Sequence, residues 1–233
     1  MSIDDKLSKP LVRFVASSVV FLSVFTGIFI KLADELREQD LYRFDYPIIQ
    51  LVQSYIDPQL TGVMKFFTFI GSGKVIVVLL IISMFLMVRR KKNWEAVFLL
   101  TAASGGALFN LLLKWHFHRI RPSIHPLIKE TGYSFPSGHS MEAIIFYGML
   151  GYFLCLFFES KFLQRLSVMG ATGIILLVGL SRIYLGVHYP SDVLAAYAAG
   201  GVWLIICLTG LKIIVEVRQR NIRPGGGYRK NNN

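Results

Sequence analysis

Six apolar stretches fix the solvent this chain must fold in: Phe14–Ile30, Phe66–Val88, Ala96–Leu113, Ser140–Phe158, Leu166–Ser181 and Val193–Leu211. Each, with its flanking residues, approaches the roughly 20 residues that a helix needs to cross the hydrocarbon core of a bilayer. In lipid every backbone N–H and C=O must be paired within the protein, which leaves only helices and closed barrels. None of the six stretches alternates with period 2. The expected fold is therefore all-α, a polytopic bundle of six transmembrane helices over residues 1–215 with a basic, unstructured tail over 216–233. Soluble domains carry about 25% charged residues; here the share is 17%, against 54% apolar. The first stretch is long for a signal-peptide core and runs into Lys31 and acidic residues rather than a cleavage site, so it reads as a retained span.

A net charge of +11 would suggest nucleic acid in a soluble protein. In a membrane protein it follows more simply from the concentration of Lys and Arg on cytoplasmic loops, and no nucleic-acid partner is expected. With the N-terminus inside, the cytoplasmic segments collect Lys6, Lys9, Arg13, Arg89 to Lys92, Lys161, Arg165 and the cations from Lys212 to Lys230, 15 of the 25 in the chain. The other face keeps Asp34, Glu35, Glu38, Asp40, Asp45 and Asp57. Both termini are thus expected in the cytoplasm.

The longest external segment, Lys31 to Lys65, contains helical spacing of apolar residues from Tyr46 to Ile56, as in a helix lying in the interface. Asp57-Pro58 has the form of an N-cap followed by proline at the first helical position. Gly71-Ser72-Gly73 should break or tightly pack the start of the second span. Arg223 to Asn233 has linker composition. Cys155 and Cys207 lie deep in apolar runs and read as inert packing residues, with neither a disulfide nor a metal expected.

The five histidines, His116, His118, His125, His139 and His188, all map to the external ends of spans three to six. Three segments meet there. Lys114-Trp-His-Phe-His-Arg-Ile-Arg121-Pro122 ends span three; alone it is ordinary snorkelling of basic side chains. Pro136-Ser137-Gly138-His139 opens span four, with Ser137 placed as an N-cap and Gly138 leaving the backbone open to an anion at the helix start. Ser181-Arg182 to His188, then Asp192, joins spans five and six. There Pro190 suits a first helical turn and puts Asp192 within a turn of His188, able to fix its tautomer. Lys114, Arg121 and Arg182 supply charge suited to phosphate oxygens. Two histidines allow one to attack phosphorus while the other protonates the leaving oxygen. No cluster of carboxylates offers a two-metal alternative.

The ordered set Lys-x6-Arg-Pro, Pro-Ser-Gly-His and Ser-Arg-x5-His-x3-Asp resembles the three-part signature of the type 2 phosphatidic acid phosphatase superfamily. The signature falls on Lys114, Arg121, Pro122, Pro136 to His139, Ser181, Arg182, His188 and Asp192. The resemblance implies a lipid phosphatase in a cell (plasma) membrane with a phosphorylated lipid as its partner. The lack of a carboxylate cluster points to no metal or cofactor, and the charge topology puts the active site on the extracytoplasmic face. In that scheme His188 is the nucleophile, Asp192 orients it, and His139 is the general acid and then base. Lys114, Arg121, Ser137, Gly138 and Arg182 hold the phosphoryl oxygens. Small bacterial members act on phosphatidylglycerophosphate or undecaprenyl pyrophosphate; broad action on phosphatidic acid and a transporter built on the same anion site are the alternatives. His116, His118 and His125 fall outside the signature. Glu142, three residues after His139, shares a helical face with it.

Overall fold

The computed structural model of the chain describes residues 8–38 and 40–222. Among them every regular element is an α-helix: α1 (Lys9–Arg37), α2 (Leu41–Gln53), α3 (Pro58–Ile70), α4 (Gly73–Arg89), α5 (Asn93–Phe117), α6 (Gly138–Phe157), α7 (Lys161–Tyr184) and α8 (Pro190–Ile222). Of these, α1, α5, α6, α7 and α8 are each long and apolar enough to cross a membrane, and α3 with α4 makes a sixth span if the bent pair counts as one.

The second span, expected as one run from Phe66 to Val88, is two helices meeting at 52°. The cause is local. Ser72 leaves the helical conformation and caps α4, its Oγ accepting from the Val75 N–H. A Cβ on Gly71 would come within 2.5 Å of Val178 Cγ1, so the bend seats bare backbone against α7. The Ile70 carbonyl released by the break accepts from the Tyr147 hydroxyl at 2.7 Å, so that acceptor is not orphaned at the bend. Just upstream, Asp57 caps α3 as expected, accepting from Gln59 N at 2.8 Å and Leu60 N at 3.2 Å, with Pro58 at the first helical position.

The helix expected in the interface differs from its expected bounds. It begins at Leu41 and ends at Gln53, whereas a start at Tyr46 would have put Pro47 in the first turn, where proline costs least. Pro47 instead lies inside α2, and the longer helix gains a buried stripe of Leu41, Asp45 and Ile49. At the other end of the chain, the boundary expected at residue 215 falls within α8, which continues to Ile222. Lys6 and the tail residues 223–233 lie outside the described residues.

The core is built around α6, which packs on α5, α7 and α8 and buries Met141, Ala143, Ile145, Phe146, Tyr147, Met149 and Phe153. Helix α1 lies against α8 at the rim and turns Val19, Val20, Phe21 and Val24 outward, an apolar face suited to contact with lipid. The Ser8 N–H donates to Glu216 and Lys212 lies over the Phe14 ring, while Arg218 lies over Trp94. The start of α1, the end of α8 and the α4–α5 turn therefore share one end of the bundle. At the opposite end Arg37 meets His116, and there the three motifs converge.

Candidate active site

The site is assembled from the end of α5, the loop between α5 and α6, the start of α6 and the turn joining α7 to α8. His188 sits in that turn, 1% exposed. Its Nδ1 lies 3.3 Å from Asp192 Oδ2, and its Nε2 lies 3.0 Å from an Arg121 Nη1. Arginine only donates and an ionised carboxylate only accepts. Asp192 therefore takes the Nδ1–H, and the Nε2 lone pair points at Arg121. Burial pushes the His188 imidazole down to about 4 against the pull of Asp192, with Arg182 and Arg121 adding to the decrease. The ring is neutral at neutral pH.

The turn that carries His188 depends on Gly186, whose φ of +71° suits a residue without a side chain. A Cβ there would also stand 2.8 Å from the His125 carbonyl oxygen and 2.9 Å from Gln53 Nε2. Gly186→Ala is expected to destabilise the protein by about 1–3 kcal/mol and to reduce activity by displacing His188. Thermal unfolding in detergent, run beside an activity assay, measures both; an unshifted midpoint with full activity would remove this constraint.

Asp192 lies in the first turn of α8 and accepts from the Tyr189 N–H at 2.9 Å, the reach back to the helix start that a capping box uses. Arg121 also donates from Nε to the Gly132 carbonyl, from Nη2 to Thr131 and from Nη1 to Val187, each between 2.9 and 3.0 Å. It thereby folds the α5–α6 loop onto His188. Arg182, 1% exposed near the end of α7, donates to Glu130 Oε1 at 2.6 Å and to Thr68 of α3, and its buried Nε has no acceptor among the described residues. Burial by itself would lift the Glu130 carboxyl, but the Arg182 hydrogen bond and charge hold it below the usual carboxylate range.

The remaining signature residues close round this centre. Lys114 donates to the Tyr133 carbonyl at 2.6 Å and lies close enough to Asp192, Arg121 and Arg182 to feel their charges. Ser137 occupies the N-cap of α6, but its Oγ accepts from the Ser140 hydroxyl at 2.9 Å rather than from the helix backbone. The α6 start thus has no side-chain cap, and such a start is an anion-binding position. The Ser137 N–H donates to the Asp192 carbonyl at 3.1 Å, tying this start to α8. A Cβ on Gly138 would lie 3.2 Å from Asn110 Oδ1. Half-buried His139 senses the charges of Arg182, Glu130, His188 and Arg121.

His116 instead pairs with Arg37 at 3.1 Å, His118 ends α5 in a left-handed conformation against Tyr133, and the His125 carbonyl accepts from Gln53. Glu142 faces the Gly73 end of α4.

Five neighbours of the site escape sequence inspection: Asp45, Thr68, Asn110, Arg119 and Glu130. Arg119 falls in the spacer of the first motif and Glu130 in a basic loop. Asn110, buried in α5, donates to the Pro136 carbonyl at 3.3 Å and so holds the Pro-Ser-Gly turn. Asp45 does leave a trace, as the acidic member of an apolar i, i+4, i+8 stripe. Among the described residues no group of three or more His, Cys, Asp or Glu is arranged to hold a metal ion.

Comparison with known proteins adds to this geometry. The profile of the PAP2 superfamily matches residues 94–214. Phosphatidylglycerophosphatase B of Bacillus subtilis is 34% identical over 174 residues, covering 74% of this chain and 85% of that protein. Undecaprenyl-diphosphatase of Sulfolobus acidocaldarius is 26% identical over 189 residues, covering 80% and 85%. The crystal structure of a transmembrane PAP2 type phosphatidylglycerolphosphate phosphatase from Bacillus subtilis aligns with a TM-score of 0.74 at 29% identity, over 87% of this chain and 98% of that one.

Proposed function

Since this chain belongs to the PAP2 superfamily, we propose that it is a membrane lipid phosphatase releasing phosphate from phosphatidylglycerophosphate through a phosphohistidine on His188. The observation that carries the reading is the alignment of Asp192, His188 and Arg121, with Nδ1 toward the carboxylate and Nε2 toward the guanidinium. A neutral imidazole so held presents a lone pair where an arginine would bring a phosphoryl group. Nε2 attacks phosphorus, the P–O bond to the lipid breaks, and His139 protonates the departing alkoxide. His139 then takes a proton from water, which attacks the phosphohistidine and returns His188 with inorganic phosphate.

Lys114, Arg121, Arg182, the Ser137 hydroxyl and the Gly138 N–H stabilise the phosphoryl oxygens as charge moves between them. Lys114, Arg119, Arg121 and Arg182 outnumber the carboxylates Asp45, Glu130 and Asp192, so the site favours an anion. Each of these carboxylates already faces an arginine. The chemistry needs no metal in this reading.

We also place both termini in the cytoplasm and the site on the outer face, a topology favoured by the basic residues at the terminal end of the bundle. The likeness to the Sulfolobus enzyme supports a second substrate, undecaprenyl pyrophosphate.

Detergent-purified protein in EDTA should release phosphate from phosphatidylglycerophosphate faster than from undecaprenyl pyrophosphate or phosphatidic acid. A reversed order would reassign the substrate. Loss of activity in EDTA, restored by a divalent cation, would end the metal-free mechanism.

The pH profile gives a separate check. His188 reacts as the neutral ring, and burial holds its folded-state value at about 4. Its contribution to kcat/KM is therefore complete at neutral pH and is lost only as pH falls through about 4. An ordinary histidine would titrate near 6.5. An acidic limb at 6.5 assigned to His188 by its variant would contradict the buried, neutral nucleophile.

A further inference from the structure

Behind Asp192, on the side away from His188, lies a second constellation in which Arg119 is held on every side. Its Nη1 donates to Asp192 Oδ1 at 2.6 Å and to Ser191 Oγ at 2.8 Å, and its Nη2 donates to Asp45 Oδ2 at 2.7 Å. The Tyr189 ring covers its face, with the centroid 3.9 Å from Cζ. Asp45 comes from α2, outside the three motifs, and is fully buried. It also accepts from the Ser191 N–H at 2.8 Å and from the Ser191 hydroxyl at 2.6 Å. One carboxylate thus anchors both the start of α8 and the arginine that grips Asp192.

Burying this many charges needs a reason, because ion pairs in an interior cost more in desolvation than surface pairs and are weak contributors to stability. The geometry supplies one. A carboxylate held only by its contact with His188 could rotate about its side-chain bonds. With Oδ1 fixed by Arg119 and Oδ2 by the Tyr189 N–H, the plane of the group is set and Oδ2 is presented to Nδ1.

We propose that Asp45 and Arg119 form a positioning clamp for the nucleophile, in which α2 holds Arg119, Arg119 holds Asp192, and Asp192 holds His188 in its reactive orientation. The clamp rests on the reading of His188 as the nucleophile. Neither Asp45 nor Arg119 touches the phosphoryl group; both act through Asp192.

The test uses full-length protein in detergent with phosphatidylglycerophosphate as substrate, and Asp45→Asn, Arg119→Lys and the double variant beside His188→Ala. Asparagine turns an amide N–H₂ toward Arg119 or Ser191 where an acceptor is needed. Lysine has a single nitrogen and cannot span two carboxylates. Each single variant should lose kcat by about 10–100-fold, the usual cost of removing a partner that orients a functional histidine. KM and the inhibition constant of inorganic phosphate should stay within about two-fold, because Lys114, Arg121 and Arg182 are untouched.

The double variant should lose no more than the worse single one, since both changes open the same clamp. A merely structural role would lower the thermal midpoint and the phosphate affinity together and would leave kcat per folded molecule unchanged.

If His188→Ala is inactive and Asp45→Asn turns over at the wild-type rate, the clamp is refuted while the phosphatase reading stands. If His188→Ala retains turnover, the phosphohistidine reading falls and takes the clamp with it. Loss of folded protein in both single variants would make the cluster a folding element and would also overturn the proposal.

Discussion

His188→Ala is expected to abolish phosphate release, with a fall in kcat on the order of 10⁵-fold or more, as when a covalent nucleophile is removed from a preorganised site. No neighbour can substitute. His139, the other histidine at this centre, lies in the first turn of α6 and senses the charge of Glu130, which is itself held by Arg182, whereas Asp192 faces His188 directly. The other charged groups around the site are arginines and a lysine, which are donors only, and carboxylates already engaged by arginine, while the hydroxyls of Ser137, Ser191 and Thr68 are held in hydrogen bonds of their own.

The fold should survive the change, because the His188 turn is fixed by other bonds. Its backbone N–H and that of Val187 donate to the Arg182 carbonyl, and Leu127 donates to Leu185 from the loop above. Phosphate inhibition should persist for the same reason that it persists in the clamp variants. Rapid quenching with radiolabelled substrate is the direct measurement. Wild-type protein should carry an acid-labile, alkali-stable phosphoryl adduct, and the variant none. An adduct of equal yield on the variant would place the nucleophile elsewhere.

What was legible in the sequence divides by the range of the interaction. Helices that must cross lipid announce themselves by apolar length, so the six stretches find their counterparts in α1, the α3–α4 pair, α5, α6, α7 and α8. Breaks and caps announce themselves too, because glycine, serine, aspartate and proline act on their own backbone. Asp57-Pro58 and Gly71-Ser72-Gly73 behave as their chemistry requires. His188 and Asp192 are four residues apart, a spacing that one turn and a helix start bring together.

The partners that sequence inspection missed lie far along the chain. Asp45 meets Ser191 across 146 residues and Glu130 meets Arg182 across 52. Such pairings depend on how α2 and the α5–α6 loop fold over the bundle end, and local patterns are blind to that. The start of α2 was misplaced for a related reason. Proline inside a helix is locally unfavourable, and the burial of Leu41, Asp45 and Ile49 that outweighs it is a tertiary gain.

Asp192→Asn should be nearly as damaging as loss of the proposed nucleophile, with kcat down on the order of 10³–10⁴-fold and KM changed little. The size follows from what surrounds the carboxylate. Every neighbour is a donor: Arg119 on Oδ1, and the Tyr189 N–H with His188 Nδ1 on Oδ2. A carboxylate satisfies all three, whereas an asparagine has one oxygen and one donor group. With its oxygen toward His188, the amide N–H₂ would face the guanidinium of Arg119, donor against donor beside a positive charge. With its oxygen toward Arg119, the charge-assisted contact is preserved and the N–H₂ turns to His188. Nδ1 must then accept, the ring proton moves to Nε2, and the nitrogen that should attack phosphorus carries hydrogen instead of a lone pair. The second arrangement keeps the stronger contact, since a hydrogen bond to a charged group is roughly twice as strong as a neutral one, but it turns the amide N–H₂ to the Tyr189 N–H and the new Nε2–H to Arg121, which adds to the damage. The variant should therefore fold, retain phosphate affinity and form its phosphohistidine too slowly to detect on the wild-type timescale. A variant that still forms the adduct within ten-fold of the wild-type rate would show that Asp192 does not set the tautomer of His188.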